Sequence, residues 1–386
     1  MADSRYMNII ASSTSQTDLD LQTVSILSRP PSPTQYHQSS THHSQNPRVM
    51  MGGGPESTPC IGELRDLLTP SFLTEIVRAR LPYDKHASID LKDFGRNIFL
   101  VDPISPEIKS KVWRVLIALS KIGVDQLPDL TTYLPPLSDP SYLEQWTGLI
   151  LLVDHFPRLL FRGIDERWTY GYFRPISYAL CEVWRVIPES DRPDSWDNAK
   201  KHMGLDYWIC TRFWLGTPFV HAEKLELQRL AVEVYTMTTR EVVEAETGTR
   251  DQHRDEREEI LGDLVGFPRE YRKSTPMGDS VTNTVWTYWM CALMDIHWPI
   301  IEHFGRYPYL NAIKGRESTE EEFKWIEEVC HFGECHPAVA KRVREDVEAG
   351  RWTPLGTDSL GPNANKHWAA GNVSIERGGK LVRDEH

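Results

Sequence analysis

A chain of 386 residues that is 40% hydrophobic and 25% charged has ordinary globular composition, long enough for one large domain or two smaller ones. Its formal charge of −12 speaks against a nucleic-acid binder, which carries a basic face, and against attachment to anionic membrane surfaces. No apolar run approaches the roughly 18–20 residues that span a bilayer, and the N-terminus lacks the apolar core of a secretory signal, so a cytoplasmic protein without a membrane span is expected.

Residues 1–58 are rich in Ser, Thr, Gln, His and Pro and end in Met51-Gly52-Gly53-Gly54-Pro55. Such a segment cannot bury enough apolar surface to order itself and reads as a disordered tail. From 59 to 350 the pattern is helical and predicts a single all-α domain. Glu107 to Lys121 sets Ile108, Val112, Val115, Leu116 and Leu119 three and four residues apart. Leu225 to Val242 repeats that spacing. Val285 to Phe304 is apolar almost all round and predicts a buried central helix, which Pro299 should kink or divide. Ser318-Thr319-Glu320-Glu321-Glu322 predicts a capping box that opens another helix. Pro-rich breaks at Leu134-Pro135-Pro136 and between Pro188 and Pro193 separate these units, and no strand-like alternation is sustained. Arg250 to Glu259, nearly all charged, reads as a solvated face or loop. Residues 351–386, rich in Gly, Asn and charge, read as a loose C-terminal tail.

The six cysteines are too scattered for a disulfide scaffold, and Cys181, Cys210 and Cys291 lie in apolar segments as small core residues. Neither a Gly-x-Gly-x-x-Gly nor a phosphate-cradling Gly-Lys-Ser/Thr loop is present, nor a His-Glu-x-x-His pair or a Gly-x-Ser-x-Gly elbow. The run Cys330-His331-Phe332-Gly333-Glu334-Cys335-His336 resembles metal ligands, but it has no matching second half elsewhere to complete a four-ligand zinc site. No cofactor and no metal are expected. Thirteen tryptophans, many in apolar runs, suit either plain core packing or the walls of a cavity for a bulky apolar ligand.

Three polar clusters stand out inside the apolar segments, where charge is costly unless it pairs or does chemistry. Asp154-His155-Phe156-Pro157-Arg158 follows Leu149-Ile150-Leu151-Leu152-Val153. His221-Ala222-Glu223 with Gln228 follows Phe213-Trp214-Leu215. The third runs from His297 through Phe304-Gly305-Arg306 to Asn311 and Arg316. Together they resemble the hallmarks of the helical family catalogued as domain of unknown function 924. The first matches its leucine run, Asp-Gln-Phe-Pro-Arg and Arg-Gly, here continued to Arg162-Gly163. Pro218 to Gln228 is similar to its Pro-x-x-His-Ser-Glu motif, and His297 with Phe304 to Thr319 is similar to its third. The resemblance covers about residues 145–325. It implies a tetratricopeptide-like helical fold and no agreed activity. The chain departs from the pattern in lacking an opening Phe-Trp-Phe-Gly, in carrying His155 for Gln and Ala222 for Ser, and in placing Tyr309-Leu310 where a His-Arg pair is usual. These changes suggest a more apolar pocket.

Asp154 and Arg158, four apart, would face each other on a helix, either as an ion pair that fixes packing or with the arginine free to bind a substrate carboxylate or carbonyl. His221 and Glu223 are expected to straddle a helix N-terminus, with Glu223 at the positive dipole end. His221 is then a general acid/base or a histidine tying two helices together. His297 matches the family pattern whereas His303 does not. Arg306 and Arg316 either cap turn carbonyls or close an anion site, and Asn311 has a structural turn role. The expected catalytic set is His221, His297 and Arg158, facing a tryptophan-walled pocket, with Asp154, Glu223, Gln228, Arg306, Asn311 and Arg316 in support. The function expected is an enzyme acting on a hydrophobic small molecule without a metal or redox cofactor, either a cyclase or pericyclase of fungal-type secondary metabolism or a lyase or isomerase. The alternatives are a protein-interaction scaffold and a small-molecule carrier.

Overall fold

The computed structural model describes residues 57–100, 102–273, 275–359, 373–375 and 381–383. Most of the disordered tail expected over residues 1–58 therefore lies outside the described residues, and Ser57 already belongs to the first helix, Ser57–Leu67. The described domain is all-α, helix packed on helix. Outside it the C-terminal stretch, expected to be loose, carries one short antiparallel hairpin, Val373–Ile375 against Leu381–Arg383.

Helix starts follow the local chemistry. Ser105, Thr282 and Thr319 each offer a side-chain oxygen to an N–H of the first turn, opening Pro106–Ser120, Asn283–Asp295 and Glu320–Glu328. At Thr319 the reciprocal bond from Glu322 completes the capping box. The long apolar stretch is divided, as Pro299 led one to expect, into Asn283–Asp295 and Trp298–Phe304, with Pro299 in the first turn of the second, where its missing N–H costs nothing. Gly305 and Gly315 close their helices in the left-handed region, at φ 67° and 68°.

The helix Leu205–His221 is the spine of the larger core. Fourteen of its seventeen residues are buried, from Tyr207 to Val220. It packs against Tyr142–Ile150, Arg174–Arg185 and Asn283–Asp295. Each fully buried large apolar side chain there contributes about 1.5–3 kcal/mol. A second, smaller core gathers Phe267, Ile300, Ile301, Tyr307, Leu310 and Trp325. Cys181, Cys210 and Cys291 are buried free thiols.

Two prolines lie within a continuing helical path. Pro157 and Pro175 neither start nor break a helix sharply. Each stands two residues after a π-turn, Leu151–His155 and Thr169–Phe173, through which the helical backbone continues. Because proline lacks an N–H and its ring crowds the carbonyl four residues back, a widened turn accommodates it without leaving the helix. The charged run Arg250–Glu259 is also not simply a solvated face. Asp251 is buried 2.7 Å from Arg240, and Arg257 reaches Asp295 at 3.4 Å.

Candidate functional site

The first π-turn aims Asp154 inward, where it is 3% exposed. Its Oδ1 takes Nη2 of Arg158 at 3.4 Å, and the same guanidinium donates from Nε to the Asp154 carbonyl at 3.2 Å. Its Oδ2 lies 2.9 Å from His221 Nδ1, at the last residue of the spine helix. Burial opposes the charge on Asp154, but His221, Arg158 and Arg174 outweigh it and hold the carboxyl well below the usual carboxylate range. An ionised carboxylate can only accept, so Nδ1 of His221 carries the proton and Nε2 carries the lone pair. Among the described residues, Nε2 has no hydrogen-bond partner.

His297 follows the helix Asn283–Asp295 and is 7% exposed. Its Nδ1 donates to the Leu293 carbonyl at 2.9 Å, so its Nε2 also presents a lone pair. The two imidazole centres are 6.5 Å apart. Burial, reinforced by Arg158 against the pull of Asp154, pushes the His221 pKa down to about 4. Burial and the neighbouring His221 push His297 down to about 3. Both rings are neutral at pH 7.

Tyrosines and phenylalanines, not tryptophans, surround these groups. Phe267 lies 3.8 Å from the His297 ring centre, and Tyr307 lies edge-on at 6.3 Å. Tyr271, Phe332 and Tyr309 extend this aromatic wall. Among the described residues no tryptophan ring lies against either imidazole, contrary to the expected tryptophan wall, and Trp146, Trp184, Trp208 and Trp286 are fully buried core residues. The cluster opens to solvent at Arg158, His221 and Tyr271, whereas the clefts lined by Thr74 and Gln145 and by His202 and Tyr207 share no residue with it.

The supporting residues divide. Glu223 sits in the loop after the spine helix, and ion pairs hold it rather than a helix dipole. It takes Lys314, Arg316 at 2.8 Å and the Tyr307 N–H at 3.0 Å. Burial opposes its charge, but those cations bring its pKa down to about 2. Gln228, fully buried, donates to the carbonyls of Val220 and Ala222 and meets the Tyr307 hydroxyl at 2.8 Å, and so fixes the loop that carries Glu223. Arg306 is taken by Glu322, and Asn311 donates to Ser318, so both serve the Gly305–Thr319 turn rather than the histidine pair. His155 turns the other way, against Trp214.

Sequence reasoning missed four groups. Tyr170 lies on the second π-turn, with the guanidinium carbons of Arg174 and Arg158 at 4.7 and 5.6 Å from its ring centre. Tyr178 donates to the His221 carbonyl at 2.8 Å and accepts the Glu223 N–H at 3.1 Å. Ser177 stands 3.5 Å from Asp154. Arg174 is 3% exposed on an amphipathic helix, the same charge-on-apolar signal that marked the three clusters.

A family model described as a bacterial protein of unknown function, DUF924, matches residues 136–329, half of the chain and all three clusters. No curated protein and no solved structure matches.

Proposed function

We propose that this chain, which belongs to the DUF924 family, is an acid/base enzyme of the lyase or isomerase type, acting on a small molecule with an apolar body. One observation carries the reading: His221 is oriented by a buried carboxylate at 2.9 Å while its other nitrogen is left free. A base whose tautomer is set by a carboxylate is poised to take a proton, and Asp154 steadies the imidazolium that results. In this reading Nε2 of His221 removes a proton next to a carbonyl, and Arg158 attracts the charge gathering on the oxygen. The imidazolium then returns the proton at the conjugated γ carbon, which shifts the double bond, or the enolate expels a leaving group from its β carbon. Phe267, Tyr271 and Phe332 supply an apolar wall for the rest of the substrate. A pericyclase would have no need of a free base, so the geometry favours the lyase or isomerase. The alternative of a tetratricopeptide-like interaction scaffold draws support from the helical architecture alone.

Incubation in D2O with 4-phenyl-2-butanone and 4-phenyl-2-oxobutyrate, followed by NMR, tests this. Deuterium uptake next to the carbonyl is expected to exceed the buffer rate and to fall about 100-fold in His221→Asn. Uptake at the buffer rate, or unchanged in the variant, overturns the reading; binding without uptake would point to a carrier.

A further inference from the structure

Arg174 is a buried charge that the acid/base reading does not use. It is 3% exposed, and among the described residues it has no ion pair and no hydrogen bond. Among the described residues its Nε and Nη1 are buried and unpartnered, and its guanidinium lies over the face of Tyr170. A buried guanidinium without a partner costs several kcal/mol, which makes Arg174 a candidate group for receiving an anion. The nearby carboxylates are already engaged. Asp154 is taken by Arg158, His221 and Ser177, and Glu223 by Lys314 and Arg316. Burial opposes the Arg174 charge, yet Tyr178, Glu223, Tyr170 and Tyr309 raise its pKa further, so the group remains cationic.

Resting on the acid/base reading, we infer that the ligand of this site is an organic carboxylate, received by Arg174 and Arg158, which both lie over the Tyr170 ring, with its apolar body against Phe267, Tyr271 and Phe332. Charge favours an anion: Asp154 already neutralises Arg158, Glu223 is shared by Lys314 and Arg316, and the Arg174 charge is unmatched. Geometry favours a carboxylate, because a guanidinium meets its two oxygens in a planar fork. Arg158 keeps Nη1 free of protein partners among the described residues, so both arginines can donate.

The same placement couples binding to chemistry. Asp154, Arg158, Arg174 and His297 all act on His221, and the two arginines disfavour its imidazolium. An anion between the arginines offsets that repulsion and makes His221 a stronger base only when the ligand is bound.

Calorimetry with 4-phenylbutyrate, 4-phenylbutanamide and 3-phenylpropyl phosphate tests the inference on the full chain. The carboxylate is expected to bind at least about tenfold more tightly than the amide of the same shape, a comparison that needs no variant. Arg174→Gln is expected to remove that preference while His221→Asn retains it, and NMR of the wild-type imidazole should show its titration midpoint rising on addition of 4-phenylbutyrate. Equal binding of carboxylate and amide, or tighter binding of the phosphate, overturns the inference. If the carboxylate binds through Arg174 but no substrate exchanges deuterium, the acid/base reading falls and the anion site stands. If the neutral ketone exchanges as fast as the keto acid and no carboxylate preference is found, the anion site falls alone.

Discussion

Asp154 Oδ2 and His221 Nδ1 lie 2.9 Å apart although 67 residues separate them in the chain. The bond joins a π-turn to the end of the spine helix and leaves one face of the imidazole toward solvent. It is at once a structural tie and a means of holding a base in one tautomer.

Replacing Asp154 with Asn should separate these roles. The amide can donate as well as accept, so the His221 tautomer is no longer fixed. Deuterium exchange is expected to fall about 100-fold, with a smaller loss in binding of 4-phenylbutyrate. A variant that loses binding and keeps the rate of exchange per bound substrate would contradict the orienting role.

Acid should destabilise the protein from near neutrality. The folded pKa values of His221 and His297, about 4 and about 3, lie below the ordinary value of 6.5. Between those limits the unfolded chain binds more protons than the folded one, so stability rises with pH across this window and is lost as pH falls from about 6.5 toward 4 and 3. The loss is on the order of 3 kcal/mol for His221 and 5 kcal/mol for His297. Glu223, held down to about 2, adds a further loss below about 4.5. Thermal melts between pH 3 and 7.5 should show the decline, and His221→Asn should flatten its upper part. A melting temperature that is constant from pH 7 to 4.5 would refute the neutral-histidine assignment.

Glu223→Gln should cost about 2 kcal/mol in urea unfolding, because Lys314 and Arg316 lose their shared carboxylate in a half-buried setting. Burial already pushes Lys314 down to about 8 despite Glu223, so the variant lysine should titrate lower still. An unchanged unfolding midpoint would show that these cations find water instead.

Gly148→Ala tests the packing that carries the first cluster. A Cβ there would strike the backbone carbonyl of Leu73, where the helices Tyr142–Ile150 and Pro70–Arg80 cross. Backbone cannot yield as a flexible side chain can, so a loss of about 1–3 kcal/mol is expected in chemical unfolding. A neutral substitution would mean that the two helices separate freely.

Much of this architecture was legible because it is written locally. Periodic apolar residues at Ile108, Val112, Val115 and Leu119 and the Thr319–Glu322 capping box act over one or two turns, so their helices follow from spacing alone. The pairing of Asp154 with Arg158 is equally local, four residues apart on one helical face. The continuity of the helical path at Pro157 and Pro175 was not legible, since a proline announces lost hydrogen bonds but not whether the helix stops or widens into a π-turn. Tryptophan count misled. It measures how much aromatic surface must be buried, not where, and most of it went into the core.

From the residues alone one could know that the chain is helical and that Asp154, Arg158, His221 and His297 sit in segments where charge needs a reason. What they do to one another was decided only by tertiary packing. It set the two imidazole centres 6.5 Å apart, spent Glu223 on Lys314 and Arg316, and buried Arg174 beside Tyr170 with no ion pair among the described residues. The physical reason is range: helix propensity and capping act between near neighbours in sequence, whereas the desolvation and Coulomb terms that set these protonation states depend on groups brought together from more than a hundred residues of chain.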